Sequence, residues 1–131
     1  MGILSMKAFG FLGLVVVGLI SMASAEPGTA TFYTEYVPSA CYGYEDQGVM
    51  IAAASPEIFN NRAACGRMYN VRCTGPTNQG IPQPCKGKTV NVKIVDLCPG
   101  CKGRSLDLSK QAFSWIANPD AGRIRIEFNQ V

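Results

Sequence analysis

Six cysteines, Cys41, Cys65, Cys73, Cys85, Cys98 and Cys101, fall within one stretch of a 131-residue chain. An even count in so short a chain limits what it can fold into more than any other feature, provided the compartment is oxidising. The N-terminus supplies that condition. Residues 1–7 carry one positive charge, residues 8–20 form an uncharged apolar run, and small residues follow at Ala23 and Ala25. This is the three-part pattern of a secretory signal peptide, with cleavage expected after Ala25. The run is shorter than the roughly 20 apolar residues that span a bilayer, so no membrane insertion is expected after cleavage. Residues 26–131 are then expected to form one extracellular domain. Six cysteines admit 15 pairings. Joined in sequence order, they would close loops worth roughly 3.5, 3 and 2 kcal/mol of chain entropy. That total is comparable with the stability of a typical domain, about 5–15 kcal/mol.

Strand signals dominate the expected mature chain. Residues 29–36 (TATFYTEY) are β-branched and aromatic, and residues 49–53 are short and apolar. Residues 67–73 alternate imperfectly. In residues 88–95, Val90, Val92 and Ile94 alternate with Asn91 and Lys93. In residues 123–128, Ile124, Ile126 and Phe128 alternate with Arg125 and Glu127. The last two are the clearest half-buried strands. Ser55-Pro56-Glu57 reads as a helix start. Ser109 can cap a second helix over residues 110–117, which Asn118-Pro119 ends. Residues 74–87, rich in Pro and Gly, read as the longest loop. The pattern predicts a mainly β fold, a small barrel with short helices inserted.

Chemistry concentrates in VDLCPGCKGRSLDLS, residues 95–109. The chain has no histidine, which removes the usual general base, nucleophile–histidine pairs and Cys/His zinc sites. A CxxC pair can be a redox site when a helix follows it, but Lys-Gly-Arg-Ser after Cys101 reads as a turn. No second close cysteine pair completes a zinc site. A short disulfide around a Pro-Gly turn is the favoured reading, and no metal or cofactor is expected. If SLDLS is extended, Leu106 and Leu108 point one way and Asp107 the other, toward a surface or groove. The net charge of +3 is too mild for a dedicated nucleic-acid binder.

TATFYTEY, SACYGY, the Cys65-Gly66 pair, VKIVDLCPGC, LDLSKQAFSWIA and GRIRIEF occur in that order. This series resembles the expansin-like double-psi β-barrel proteins, and within them the short plant natriuretic peptide branch. The resemblance implies a six-stranded double-psi β-barrel with short helices, three disulfides and a groove across one face. It implies the pairing Cys41–Cys65, Cys73–Cys85 and Cys98–Cys101. Asp107 in SLDL matches the groove acid of the HFDL-type motif, with Ser105 in place of the histidine. Asp96 in VDLC matches a second groove acid. Thr31 and Tyr33 match groove-lining residues. Glu35, two residues after Tyr33, is a stand-in for the base of inverting endoglucanases on this barrel. The sequence reaches Val131 without the second, polysaccharide-binding domain of expansins.

Three functions follow as expectations. The resemblance implies first an apoplastic signalling protein acting on water and solute balance, monomeric, with a plasma-membrane receptor as partner and without expansin or hydrolase activity. Family activity maps to the segment around the first cysteine pair, here residues 36–66, which includes Tyr44, Glu45, Asp46 and Gln47. The second expectation is a wall-polysaccharide binding module in which the groove acids, Tyr33 and Tyr42 contact sugars. The third is a glycoside hydrolase with Asp107 as acid and Glu35 or Asp96 as base. Lys102 and Arg104 would oppose that last role by lowering the pKa of Asp107 if they point toward it.

Overall fold

The structure, a computed structural model, describes residues 24–77 and 80–131. The expected leader lies outside the described residues except for its last two positions. The elements are β1 (Glu26–Tyr33), β2 (Ile51–Ala54), α1 (Pro56–Phe59), β3 (Met68–Pro76), β4 (Thr89–Leu97), β5 (Ser105–Ser109), α2 (Lys110–Ile116), a 3-10 turn (Pro119–Ala121) and β6 (Ile124–Gln130). The strands close into a barrel in the order β1-β5-β2-β4-β3-β6. β1 pairs with β5 in parallel, as β2 does with β4, and the other pairings are antiparallel.

The alternation read from the sequence fills the barrel. Val90, Val92 and Ile94 of β4 and Ile124, Ile126 and Phe128 of β6 are buried, with Leu106 and Leu108 of β5 beside them. Their outward neighbours Asn91 and Arg125 are exposed. β2 is buried at every position. Its small side chains, Ala52 and Ala54, share the core cluster with the larger branched residues of neighbouring strands. α2 adds Ala112, Phe113 and Ile116 to the same core, and Phe113 meets Phe32 edge-on at 5.1 Å.

Both helices start as the sequence indicates. The Ser109 hydroxyl accepts from Ala112 N at 3.0 Å and donates to the Val49 carbonyl. The Ser55 hydroxyl accepts from Ile58 N at 3.4 Å and donates to the Gly103 carbonyl at 2.6 Å. These caps satisfy backbone donors that a helix start leaves open, and each also ties the helix to a distant loop.

Several boundaries move. β1 starts at Glu26 and ends at Tyr33, not at residue 36, because residues 26–30 pair with β6. β3 runs on to Pro76, past a register shift between Cys73 and Gly75, so the expected loop starts later. SLDLS, extended only conditionally on sequence grounds, forms β5.

Three disulfides join Cys41 to Cys65, Cys73 to Cys85 and Cys98 to Cys101. The first ties the segment before β2 to the turn before β3. The second ties β3 to the segment that pairs with Ala117 at the end of α2. The third closes the turn between β4 and β5.

Gly28 has no room for a side chain: a Cβ there would lie 2.1 Å from the Arg104 carbonyl oxygen. The Thr29 amide bonds that same oxygen at 3.0 Å, so β1 cannot shift without breaking the β1–β5 seam. Gly28→Ala is therefore expected to destabilise the fold by about 3 kcal/mol. Denaturant unfolding checks this, and an unchanged midpoint would show that the seam is soft.

Candidate functional site

Register places four residues in one line across the barrel. Thr31 of β1 pairs with Asp107 of β5, Asp107 with Ala53 of β2, and Ala53 with Asp96 of β4. Adjacent strands lie about 4.8 Å apart, so the two acids stand roughly 10 Å apart at the backbone, with Ala53 between them. Residues two apart on a strand share a face, which adds Thr29 and Tyr33 to the side of β1 that carries Thr31.

Asp107 is half-buried and accepts a hydrogen bond from the Thr31 hydroxyl at 2.8 Å. Burial pushes its carboxyl above the ordinary range. The Thr31 bond and the charge of Arg123 pull it back, while the Asp96 charge pushes it further up. The Tyr33 phenol is held well above its usual value, first by burial and then by Asp96, Asp107 and Tyr36. Its hydroxyl is buried and has no hydrogen-bond partner among the described residues. Tyr36 packs edge-on against Tyr33 at 5.2 Å, and its own hydroxyl donates to Gln111 Oε1 at 2.6 Å. Asp96 Oδ1 accepts from the amides of Ala40, at 2.8 Å, and Leu97, at 2.9 Å.

A cleft of about 510 Å³ opens beside Thr31, lined by Thr29, Ser105, Lys102, Arg123 and the Cys98–Cys101 turn. A larger hollow of about 630 Å³, lined by Glu26, Tyr69, Arg104 and Phe128, shares no residue with the acid row. Among the described residues no cluster of three or more His, Cys, Asp or Glu could hold a metal ion.

Of the residues expected at the site, Thr31, Tyr33, Asp96 and Asp107 come together. Glu35 does not join them: it is exposed and lies past the end of β1. Arg104, expected as a possible modulator of Asp107, instead pairs with Glu26. The cation that acts on Asp107 is Arg123, which sequence reasoning passed over. The outward parity of Arg123 was visible in the Ile124–Phe128 alternation. Its nearness to Asp107 comes from barrel closure, which sets β6 beside β1 and β1 beside β5.

Residues 51–128, most of the barrel, match a family model described as lytic transglycolase. An EG45-like domain containing protein of Citrus jambhiri is 65% identical over 112 residues, covering 84% of this chain and 85% of that protein. This chain belongs to the expansin-like plant natriuretic peptide family. Another member, the putative EG45-like domain containing protein 1 of Arabidopsis thaliana, is 51% identical over 122 residues, covering 93% of this chain and 97% of that protein. The family fold recurs in the apo expansin of Clavibacter michiganensis, at 30% identity and TM-score 0.65, covering 82% of this chain and 50% of that one. A mutant of that expansin in complex with cellohexaose matches at 28% identity and TM-score 0.62, with 84% of this chain and 50% of that one covered. Members of the family are thus matched over most of their length, the solved expansins over half of theirs.

The Asp107 shift has a signed consequence. Its folded pKa lies above the unfolded value, so stability is lost as pH rises from the unfolded pKa through the folded one, and the loss is complete above it. Asp107→Asn is expected to be more stable than the parent at neutral pH. The gap should close as pH falls through the folded pKa toward the unfolded one. Thr31→Val removes a bond to the charged form and should raise the Asp107 pKa further. Carboxyl chemical shifts followed through a pH titration read both effects. A pKa unmoved by Thr31→Val would show that the hydrogen bond does not bias ionisation.

Proposed function

We propose that this protein is an extracellular signalling protein acting on water and solute balance through a plasma-membrane receptor, without expansin or hydrolase activity. The observation that carries the reading is the loop between β1 and β2. Tyr44 is 80% exposed there, and Val37, Val49 and Met50 are exposed as well. The loop backbone is nonetheless held. Cys41 is disulfide-bonded, its amide bonds the Val95 carbonyl at 2.9 Å, and Ser39 and Gly43 bridge each other. Lys93 donates to Gln47 and sits over the Tyr42 ring at 5.3 Å. Apolar side chains displayed on a held loop suit a protein partner, because little ordering remains to oppose binding. Membership of the natriuretic peptide family supports the physiological direction, and three disulfides fit an extracellular protein.

Hydrolysis is poorly supported by the acid row. Inverting enzymes place two carboxyls about 6.5–9.5 Å apart, one of them free to activate a water. Asp107 has the raised pKa of an acid, but Asp96 Oδ1 caps two backbone amides and Glu35 stands outside the row.

A second reading, that the groove binds a wall polysaccharide, is favoured by the unpartnered Tyr33 hydroxyl beside two acids. The cellohexaose held by the similar Clavibacter expansin supports it.

Protoplast swelling on adding the folded protein separates the two. Tyr44→Ala combined with Val49→Ser should raise the dose for half-maximal swelling about tenfold or more, as loss of an aromatic anchor does at protein interfaces. Asp107→Asn should leave the dose unchanged. A response lost in Asp107→Asn but kept in the loop variant would move the function to the groove.

A further inference from the structure

The cleft beside Thr31 has an unused hydrogen-bonding pattern. Each hydroxyl has one proton to donate and two lone pairs to accept with. Ser105 donates to the Lys102 carbonyl at 2.6 Å. Thr29 Oγ1 lies 3.2 Å from Ser105 Oγ, and with the Ser105 proton already placed, Thr29 is the donor. Thr31 donates to Asp107 at 2.8 Å. Thr29 and Thr31 therefore offer a ligand only lone pairs. The side-chain donors left in the cleft are the cations Lys102 and Arg123, both exposed. Among the described residues neither side chain makes a hydrogen bond or an ion pair.

We propose that this cleft binds a hexuronate unit of an acidic saccharide, its carboxylate on Arg123 and Lys102 and its ring hydroxyls donating to Thr29 and Thr31. A bare anion would leave the threonine lone pairs unused. A neutral hexose would leave both cations unpaired. A sugar acid matches both halves, and the planar guanidinium of Arg123 suits a carboxylate in two-pronged contact. Asp107 repels an anion at its own end of the row, which sets the carboxylate toward the Lys102 side of the cleft, since Arg123 acts on Asp107 and Lys102 does not. The cleft volume of about 510 Å³ is within the range of small-molecule sites, about 300–1,000 Å³. The proposal rests on the groove reading above and is independent of the displayed loop.

Calorimetric titration of the intact protein with trigalacturonate and with neutral galactotriose tests it. The acidic trisaccharide should bind about tenfold or more tightly at low salt, and added salt should shrink the difference. Arg123→Gln and Lys102→Gln should each erase the preference, and Lys102→Gln should do so with an unchanged unfolding midpoint, since Lys102 is exposed and does not act on Asp107. Thr29→Val should weaken both sugars. Equal binding of the two sugars would overturn the acidic preference and leave the groove reading standing. Full competition by sodium acetate at matched charge would overturn the sugar component. Binding of neither sugar would overturn the proposal, and failure of cellohexaose as well would overturn the groove reading with it.

Discussion

Parallel pairing of β1 with β5 joins residues 76 positions apart, and the barrel closes through it. Everything proposed for the groove depends on this seam. It sets Thr31 against Asp107 and Thr29 against Ser105, and it brings β6, with Arg123 at its head, within reach of the acid row. It also seats α2, because Phe32 on β1 is the edge-on partner of Phe113. Parallel strands require a long crossover, and their non-local contacts form only after the chain has been largely ordered. Gly28 is where the seam is tightest, since the Arg104 carbonyl occupies the space of a side chain.

None of the three disulfides crosses that seam. They span 24, 12 and 3 positions, and each anchors a connection instead of closing the barrel. The apolar interior and the strand ladders hold the barrel itself, while the covalent links fix what the barrel displays. Cys41–Cys65 acts this way on the loop that carries Tyr44, and Cys98–Cys101 on the turn that lines the cleft. The entropic stabilisation expected from the cysteine spacing still applies to the unfolded chain. In the folded state the bridges act mostly at the two surfaces where binding is proposed.

Legibility in the sequence follows the same division. β4 and β6 could be read because one face is buried and period two is therefore strict in Val90–Val92–Ile94 and Ile124–Ile126–Phe128. The two helix starts could be read because Ser55 and Ser109 cap them locally. The start of β1 was misread since Pro27 and Gly28 are poor strand formers, placed there by close packing that only the fold reveals. Trp115 is 51% exposed with Lys88 over its ring, because Ala112, Phe113 and Ile116 already fill the inner face of a two-turn helix. The outward aim of Asp107 followed from its leucine neighbours. Its meeting with Asp96 across Ala53 required the resemblance, and its meeting with Arg123 required the closed barrel.

The groove and the displayed loop are joined at one residue. Asp96 faces the acid row, yet its Oδ1 accepts from the Ala40 amide, next to Cys41 at the base of the loop. A change at Asp96 therefore disturbs both surfaces, and its effect cannot be assigned to either. Asp107 is tied only to Thr31 within the row and has no hydrogen bond to the loop among the described residues. Two features at this face run against stability: a carboxylate whose pKa burial raises, and a buried phenol hydroxyl without a partner. Departures from internal consistency that gather on one face are expected at functional sites, and they support the groove reading proposed above. The loop shows no such cost, only exposed apolar surface. That difference in kind is why different partners are proposed for the two surfaces, a polar one that supplies hydrogen bonds to the groove and an apolar protein face for the loop.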